Sequence, residues 1–434
     1  MPADGTVAIL GAGIGGMAAA YDLRRAGRQV TIFEASDTVG GLASGFKAPG
    51  WDWALEKFYH HWFATDRHIL GLIDELGWQD RVLFPRPYTV MYYDGKFYPF
   101  DSIKTALLFP GLGWGINKAR FGLVGLYLRL TNNWQRLEQY TVDAWMRKWA
   151  GDRVYELMWQ PLMEGKFGPY HAEVNMAWMW ARLKSRTTRL GTFLGGFQAF
   201  ADALARRLQE MGVEIRLSQA VHSIHSHSQG GVSLDVGDGV QQRFDQCLVT
   251  TSPALLARLA PSLPGNYLEG LLKLRSMGAV VMVLALKRQL SEQGYYWFNL
   301  PKSAGFPFLA LVEHTNYLPP EHYGGDHLLY CGDYLEVGHE YFQLSKEELL
   351  RRFLPALPRI NPGFTPDWVR ETWLFRTAYA QPIPELNHSR NIPAIQTPLP
   401  GLFFASMSQV YPWDRGTNFA VEIGRRAANL MLAD

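Results

Sequence analysis

Three glycines and one acid near the start of the chain have the types and the spacing that bind a dinucleotide. Gly11, Gly13 and Gly16 form the pattern G-x-G-x-x-G, and Glu34 follows further along. In such a pattern the first glycine makes a tight turn, the second lets the backbone approach a pyrophosphate, and the third allows close helix–strand packing. Glu34 can accept hydrogen bonds from ribose hydroxyls, and its charge disfavours the 2′-phosphate of NADP.

The elements that must position these residues follow in the required order. An apolar run, Val7 to Leu10, predicts a buried strand, and an Ala-rich stretch, Met17 to Gly27, predicts a helix. A second strand, Gln29 to Phe33, ends at the acid. A helix N-terminus after the glycine turn would face an anion with free N–H groups. The segment therefore predicts a Rossmann-type βαβ unit, and the alternative is a glycine-rich turn that only packs a helix on a strand.

A second glycine pair, Gly40-Gly41, follows the acid, and here the sequence resembles a known family. The run from Gly11 to Gly41 is similar to the amine-oxidase superfamily of flavoproteins. That group includes protoporphyrinogen oxidases, carotenoid desaturases, monoamine oxidases and, more distantly, UDP-galactopyranose mutases. The resemblance implies that the pair lies against the diphosphate and ribityl chain of FAD, with Leu42 where many members have Arg.

The resemblance continues in later segments. Residues 194–224 look like the family's middle segment, whose backbone near Val221 would meet the adenine, and residues 244–251 would close the domain. A strand at 400–407 and a helix from Asn418 to Leu432 follow, and the resemblance implies that this helix points its N-terminus at the flavin, with Asn418 as its N-cap. The residues expected at the FAD are Gly11, Gly13, Ile14, Gly15, Gly16, Glu34, Ala35, Gly40, Gly41, Leu42, Val221, Thr251, Met407, Gly416, Thr417, Asn418 and Phe419.

The expected fold is α/β, with a Rossmann-type FAD-binding domain in discontinuous segments, a mixed α+β substrate domain and a helical insertion. The FAD-binding domain is expected from 1–100, 197–260 and 399–434, with 86–100 also assignable to the substrate domain. The helical insertion is expected at 101–196 and the substrate domain at 261–398.

The resemblance implies hydride transfer from a C–H or N–H bond to flavin N5, which requires little acid–base machinery. A second glycine-rich unit for NAD(P)H is missing, so reduction by the substrate itself is the simpler interpretation. The residues predicted at the reaction are Tyr411, Trp413, Asp414, Arg415, His60 and Arg376. Asp414 and Arg415 could also form only a loop salt bridge, and His60, one of two adjacent histidines, is a candidate proton carrier near neutral pH. A basic cluster, Arg182, Lys184, Arg186 and Arg189, favours a solvated helix face over an anion site.

Composition restricts the other classes of function. The net charge is +2, and no basic run resembles a nucleic-acid arm, so no nucleic-acid partner is expected. The only cysteines, Cys247 and Cys331, give neither a disulfide scaffold nor a zinc spacing, so no metal site is expected. With no cysteine after Cys331, the FAD is expected to be non-covalent. No secretory signal is evident from Met1 onwards, which favours a cytoplasmic location.

Residues 103–130 contain apolar runs interrupted by Pro110 and flanked by Lys104, Lys118 and Arg129. This pattern suits a helical pair at a membrane interface, on the inner face of a membrane. An ordinary buried helical hairpin is the alternative. The sequence indicates no oligomeric state.

Three functions remain open. The first is an FAD-dependent oxidoreductase of the protoporphyrinogen oxidase, desaturase or amine oxidase type, acting on a sizeable, largely apolar or aromatic small molecule. The second is a redox-neutral mutase or isomerase resembling UDP-galactopyranose mutase, which requires Arg182, Arg186 or Arg376 to face the flavin. The third is a non-catalytic flavin-binding protein with a blocked pocket.

Overall fold

The computed structural model describes residues 5–113, 115–237 and 239–434. Two predictions fall partly outside the described residues. The absence of a secretory signal concerns Met1 to Asp4, and the membrane-interface segment 103–130 includes Trp114.

The first hundred residues are rich in short strands. Their elements are β1 (Thr6–Leu10), α1 (Ile14–Arg25), β2 (Gln29–Phe33), β3 (Gly45–Phe46), β4 (Leu55–Glu56), β5 (Trp62–Phe63), α2 (Arg67–Glu75), β6 (Val82–Leu83), β7 (Thr89–Tyr93) and β8 (Lys96–Pro99).

Residues 101–196 are mainly helical, as predicted. Their elements are α3 (Ile103–Leu108), α4 (Ile116–Leu130), α5 (Trp134–Leu137), α6 (Val142–Ala150), α7 (Asp152–Val154), α8 (Gln160–Phe167), α9 (Met176–Ser185) and β9 (Leu190–Phe193). A π-helical turn, Tyr155–Trp159, joins α7 to α8.

The remaining chain alternates between helices and longer strands. Its elements are α10 (Phe197–Glu210), β10 (Glu214–Arg216), β11 (Ser223–Ser226), β12 (Val232–Asp235), β13 (Gln241–Phe244), β14 (Gln246–Val249), α11 (Pro253–Leu259), α12 (Gly265–Lys273), β15 (Ser276–Leu286), β16 (Trp297–Asn299), β17 (Ala310–Glu313), β18 (His327–Leu335), α13 (Lys346–Phe353), β19 (Val369–Pro382), β20 (Leu402–Phe404) and α14 (Thr417–Ala433).

A parallel sheet in the order β10-β2-β1-β14-β20 confirms the expected Rossmann-type arrangement. Its strands come from three separate parts of the chain. The central strand β1 and the strands β14 and β20 on one side of it are buried apolar runs, as expected for a parallel sheet covered on both faces, while the edge strand β10 is polar and partly exposed. Helices α1, α10 and α14 pack on one face through a core of small and aliphatic side chains. On the other face β11, β12 and β13 form a small antiparallel sheet with its own core.

A larger sheet has the order β19-β15-β18-β17-β16-β7-β8. It is antiparallel except where β16 pairs in parallel with β7. Strands β7 and β8, from residues 89–99, therefore join the sheet built mainly from residues 276–382. One face carries an aliphatic and aromatic core with α13, and the other carries an aromatic-rich core that includes Trp51 and Tyr330.

The helical region from 101 to 196 has its own buried core, which also takes up Tyr411 and Trp413 from the loop before α14. Within the described residues, no helix is both long and apolar enough to cross a membrane.

Candidate functional site: a glycine cradle beside a cationic chamber

The glycine turn after β1 has the geometry that its sequence predicts. Gly11 adopts φ +109°, in the left-handed region that favours glycine. A Cβ on Gly16 would come within 2.2 Å of the Gly11 carbonyl oxygen, so only glycine allows α1 to start so close to the strand. The Thr250 hydroxyl donates to the Leu10 carbonyl at 2.8 Å and secures the turn from the neighbouring strand. Because Gly15 and Gly16 are helical, α1 begins three residues before the predicted Met17.

Gly13 lies at the open end of this turn. A Cβ there would meet nothing within 4 Å, which leaves space for a ligand to approach the backbone. No side chain caps α1, and its first hydrogen bond runs from the Met17 N–H to the Gly13 carbonyl. The N–H groups of Ile14 to Gly16 therefore face the opening, together with the positive end of the helix dipole.

The second glycine pair completes the same surface. Gly40 forms a parallel bridge with Gly13, and its N–H donates to the Ala12 carbonyl at 2.9 Å. Gly41 has φ +58°, and a Cβ there would come within 3.2 Å of the Gly13 Cα. Two glycine segments that are distant in sequence thus form one cradle, to which the backbone of Leu42 belongs.

Glu34 lies at the end of β2, beside the cradle. One carboxylate oxygen accepts from the Ala12 N–H at 2.8 Å, and the other accepts from the Ser36 N–H at 2.9 Å. These bonds fix the carboxylate, and each oxygen keeps a lone pair that can accept from a ribose hydroxyl. Ala35, the next residue, is exposed.

Helix α14 crosses α1 at very short range, so their N-terminal turns lie side by side. A Cβ on Gly424 would come within 2.2 Å of the Gly15 carbonyl oxygen, and one on Gly15 within 3.0 Å of the Ala420 carbonyl oxygen. Gly416 is the N-cap of α14, and no side chain caps this helix either. The Trp62 indole donates to the Thr417 hydroxyl at 2.8 Å. A ligand whose anionic group sits on α1 can therefore continue along the start of α14.

The predicted N-cap role of Asn418 is wrong. Asn418 is buried inside the first turn of α14, and its side-chain oxygen accepts from the N–H groups of His68 (2.8 Å) and Ile69 (3.2 Å). It thus satisfies the free N–H groups at the start of α2 instead of those of its own helix. A sequence shows that Asn can cap, but the helix it caps depends on tertiary packing.

The other residues expected at the FAD have less distinctive geometry. Val221 follows β10 and is half-buried, and Thr251 is half-buried after β14. Met407 opens a short 3-10 turn after β20. Phe419, in the first turn of α14, stacks on Trp413 with ring centroids 5.6 Å apart.

The loop before α14 is held against the helical region at two points. The Tyr411 hydroxyl donates to Glu138 at 2.9 Å and accepts from the Asn175 amide at 3.0 Å. Asn175 also caps α9 by accepting from the Trp178 N–H. Trp413 contacts Trp180 of α9 at 5.2 Å between centroids. Tyr411 therefore anchors the loop through its hydroxyl, while Trp413 forms an aromatic wall.

Asp414 lies where this loop meets α9. Its carboxylate accepts from the Trp178 indole at 3.0 Å, and it lies 3.7 Å from the guanidinium of Arg182. Burial alone would raise the pKa of Asp414, but the charges of Lys166, Arg415 and Arg182 outweigh it and hold that pKa below its ordinary value. Asp414 is therefore ionised at neutral pH.

Arg415 and Lys166 bring two more basic side chains to the neighbourhood of Asp414. The cationic chamber is the group formed by Lys166, Arg182, Arg186, Asp414 and Arg415. Arg415 donates to the Ala380 carbonyl and to the Tyr334 hydroxyl. Lys166 is only 7% exposed, its ammonium lies 4.7 Å from the Tyr334 ring centre, and it donates to Gln381 at 3.3 Å. Burial, followed by the charges of Arg415 and Arg182, lowers the pKa of Lys166 well below its ordinary value.

The structure divides the basic cluster of the sequence into two parts. Arg186 is exposed but lies close enough to Arg182 that the Arg182 charge lowers the pKa of Arg186 to about 9. Lys184 instead points to the end of α4, where it donates to the Thr131 carbonyl at 2.7 Å, and Arg189 is exposed. The expected solvated face thus fits Arg186 and Arg189, while Lys184 is held by the end of α4 and Arg182 lies beside Asp414.

His60 lies near the chamber, but its expected role as a proton carrier at neutral pH does not fit. Its Nδ1 is 2.6 Å from the Phe58 carbonyl, so that nitrogen carries the proton and donates. Burial lowers the pKa of His60 to about 4, and the Arg415 charge contributes. The ring is therefore neutral at pH 7.

Arg376 is not brought to this chamber. Its guanidinium donates to the carbonyls of Tyr341 (3.0 Å) and Leu344, on the sheet face next to α13. Phe375, its neighbour, points to the opposite face and contacts Phe46 at 4.9 Å. Alternation along β19 thus places Arg376 on the wrong side of the sheet.

Sequence reasoning missed two contributors, Lys166 and Tyr334. Lys166 carried a weak signal, since it is the single cation of helix α8. Tyr334 gave none, because its position depends on long-range strand pairing. Among the described residues, no group of His, Cys, Asp and Glu is arranged to hold a metal ion.

The cradle fits the ADP half of a dinucleotide. The open glycine and the uncapped helix N-terminus match a pyrophosphate, and the oriented carboxylate matches a ribose. The start of α14 then leads from the cradle to the chamber of Asp414, where the remainder of such a cofactor would reach.

Comparison with known proteins identifies the family. Residues 14–432 match the family described as flavin containing amine oxidoreductase, and the chain belongs to it. The chain is similar to a probable zeta-carotene desaturase of Synechococcus elongatus, at 22% identity over 98% of both chains. Further curated relatives are two protoporphyrinogen oxidases and a 15-cis-phytoene desaturase. The match spans about half of the length of the oxidase from Nicotiana tabacum and less of the other two proteins.

Solved structures share the fold. A putative protoporphyrinogen oxidase from Exiguobacterium superposes with a TM-score of 0.78, at 18% identity over 99% of both chains. A reduced UDP-galactopyranose mutase superposes with a TM-score of 0.77, at 14% identity over 99% of this chain and 94% of the other. The family match thus confirms the expected resemblance, and the superposition shows that the mutase shares the fold.

Proposed function

We propose that this protein is an oxidoreductase that holds FAD without a covalent bond and oxidises a sizeable, largely apolar or aromatic small molecule. The flavin would supply the electron-accepting chemistry, taking a hydride from the substrate. The observation that carries the proposal is the loop from Tyr411 to Arg415, which leads directly into α14 and places Trp413 against aromatic rings and Asp414 and Arg415 among fixed charges.

The protein's own residues would bind and orient both molecules. The N–H groups of Ile14 to Gly16 would hold the pyrophosphate, Glu34 would hold a ribose, and the start of α14 would place its dipole at the flavin. Both cysteines are fully buried in strands β14 and β18, which supports a non-covalent cofactor.

The chamber walls support a flat, apolar substrate. Trp413 stacks on Phe419 and is tilted by 32° against Trp180, so the three rings are continuous. Such surfaces bind planar rings and exclude water, which favours hydride transfer over hydrolytic side reactions. His60, neutral at pH 7, would contribute a polar surface and not a proton.

The test is anaerobic titration of the flavin-loaded protein with candidate substrates while the flavin absorbance is followed. Protoporphyrinogen, a carotenoid precursor and a polyamine represent the main classes. Loss of the oxidised flavin band with one of them supports the proposal. An unchanged spectrum with every class would contradict it and would favour a non-catalytic flavin-binding protein.

A redox-neutral mutase remains the second candidate, because Arg182 and Arg186 converge at Asp414 as a nucleotide-sugar diphosphate would require. Arg376, the third arginine considered, lies elsewhere. Incubation with a UDP-sugar after dithionite reduction distinguishes the two candidates. An isomerised sugar formed only by the reduced protein would favour the mutase.

We further propose that helices α3 and α4 contact an anionic membrane surface. Their exposed large side chains are Leu107, Leu108, Ile116, Leu123, Leu126, Tyr127 and Leu130, with exposed fractions between 47% and 71%. Exposed basic residues lie beside them, including Lys104, Arg120 and Arg129. Apolar area flanked by cations is the composition that interfacial helices use.

Co-sedimentation with phosphatidylglycerol vesicles at low salt tests this surface. The double variant Leu123→Glu/Leu130→Glu should lose vesicle binding. Leu272→Glu is the matched control, since Leu272 on α12 is 62% exposed and lies outside the surface. Equal sedimentation of all three proteins, or none by the native protein, would contradict the proposal.

A further inference from the structure

The geometry points to an oxyanion-binding site in the chamber: we infer that Arg182 and Arg186, supported by Lys166 and Arg415, bind a carboxylate or phosphate group of the substrate. This inference rests on the proposed function and specifies its substrate class. The family description names amines, and the chamber of this chain is built for the opposite charge.

The first argument is the charge imbalance. Lys166, Arg182, Arg186 and Arg415 each affect the ionisation of another member of the group or of Asp414. In the part of the chain that the structure describes, Asp414 is the carboxylate that acts on all of these cations in return. Like charges held together in a partly buried place are costly unless an anion joins them.

The second argument is that two guanidinium groups have hydrogen-bonding capacity left. Within the described residues, the Arg186 guanidinium makes no hydrogen bond to protein. Arg182 has its 3.7 Å ion pair with Asp414, which is too long for a hydrogen bond. By contrast, Arg415 donates to two protein oxygens and Lys166 to one. Arg182 and Arg186 therefore hold free planar donor sets, which match the two oxygens of an oxyanion.

The third argument concerns position. The cradle has its own helix N-terminus for the cofactor's pyrophosphate, so that anion does not need these arginines. Arg182 also lies over the Trp178 ring, 5.7 Å from its centre, at the edge of the aromatic walls. A substrate with a flat apolar body and one anionic end would fill both parts. A protonated amine would be repelled by the cations.

The test uses oxidised, flavin-loaded protein without turnover, so that its outcome is independent of flavin reduction. The probes are 2-naphthoate, 2-naphthylmethylamine and 2-naphthalenemethanol, which share a ring system and differ in charge. Calorimetry and the shift of the flavin absorbance report binding. We expect naphthoate to bind at least about tenfold more tightly than the alcohol, and the amine more weakly than either. Equal affinities, or preference for the amine, would overturn the inference.

A second set of probes identifies the source of the oxyanion. 2-Naphthyl phosphate represents a phosphate on an apolar body, and UDP represents a nucleotide diphosphate. Tighter binding of naphthoate than of UDP assigns the site to an apolar carboxylate. Tighter binding of UDP assigns the site to a nucleotide and favours the mutase over the oxidoreductase. Failure of every anion to bind would overturn the site itself.

Variants locate the site. Arg186→Gln, at an exposed residue that the fold does not need, and Arg182→Gln should each weaken naphthoate binding by about tenfold and leave the alcohol unchanged. Arg189→Gln is the matched control, an exposed arginine of the same sequence cluster. If the arginine variants shift the flavin's reduction potential and leave naphthoate binding intact, the cations serve the cofactor and the inference is wrong.

Discussion

The glycine cradle and the cationic chamber are neighbours, but they are built in different ways. The cradle consists of backbone: open glycines, uncapped helix ends and one oriented carboxylate. The chamber consists of long charged side chains from α8, α9 and the loop before α14, held by aromatic rings. A backbone site suits a ligand common to a whole family, while a side-chain site can change from one member to the next. This difference is why we propose the cradle as the site of the cofactor and the chamber as the source of specificity.

The largest expected effect comes from placing charge in the cradle. Gly13→Asp puts a carboxylate where a Cβ meets nothing, so the fold should be retained while the pyrophosphate is repelled. We expect flavin affinity to fall by about a hundredfold or more, because a helix-end anion site is replaced by repulsion. The flavin-to-protein absorbance ratio after gel filtration measures it.

Gly265→Asp is the control for this change, since Gly265 is equally open and begins α12. Full flavin content in Gly13→Asp, with circular dichroism unchanged, would show that the cradle does not hold the cofactor.

The second prediction concerns the buried carboxyl that holds the start of α10. Glu56 is buried and accepts from the Phe197 N–H at the start of α10 at 2.8 Å, and burial raises its pKa from 4.5 to about 7. As the pH rises, the Glu56 carboxyl loses its proton in the unfolded chain before it does so in the folded protein. The free energy of unfolding therefore falls as the pH rises from about 4.5 to 7. Glu56→Gln keeps the acceptor and removes the ionisation, so the variant should gain about 2–3 kcal/mol over the native protein between pH 5 and pH 8.

Urea unfolding at both pH values measures this difference. Glu75→Gln is the control, because Glu75 should affect stability in the opposite direction. Hydrogen bonds from Arg425 lower the pKa of Glu75, so Glu75 adds to the free energy of unfolding above pH 4.5 and ceases to do so in acid. Because this pair is exposed, its loss should cost less than about 1 kcal/mol. A Glu56→Gln variant without pH-dependent gain would contradict the account of its burial.

The third prediction concerns Asp414, the carboxylate of the chamber among the described residues. Asp414→Asn leaves the cations without their counter-charge and weakens the bond from the Trp178 indole. We expect a loss of about 1–2 kcal/mol in the free energy of unfolding, since the group is only partly buried. Added 2-naphthoate should restore part of that loss, because an external oxyanion can take the place of the carboxylate. Chemical denaturation with and without the probe checks both effects, and unchanged stability would contradict the role of Asp414.

The smallest effect is expected at His60. Because its pKa lies near 4, it should not titrate between pH 6 and pH 8. His60→Asn should change the rate of anaerobic flavin reduction less than about tenfold and leave its pH profile in that range unchanged. Stopped-flow measurement of flavin bleaching tests this, and a profile with a step near pH 6.5 that the variant loses would make His60 the proton carrier.

The two regions also differ in how much the sequence could predict. The cradle is local: Gly11 to Gly16 lie on adjacent turns, and Glu34 ends the next strand, so the spacing alone determines their proximity. In the neighbouring helix α14, the hydrogen-bond partners of Asn418 could not be predicted, because α2 reaches Asn418 only through tertiary packing.

The chamber depends on contacts across the chain, so it was predicted only in part. The loop from Tyr411 to Arg415 could be placed because it immediately precedes α14. Arg376 could not, since its side depends on the pairing of β19 with β15, which places it opposite Val280. Lys166 joins the chamber only because α8 packs on β18, and no local pattern shows that contact.

The central claim is that the cradle holds the flavin while Arg182 and Arg186 bind the anionic end of the substrate. A crystal structure of the flavin-loaded protein with 2-naphthoate tests it most directly. The account predicts the pyrophosphate at the N–H groups of Ile14 to Gly16, and the carboxylate within hydrogen-bond distance of Arg182 or Arg186. A carboxylate in solvent or on another face, with both arginines directed to the flavin, would contradict it.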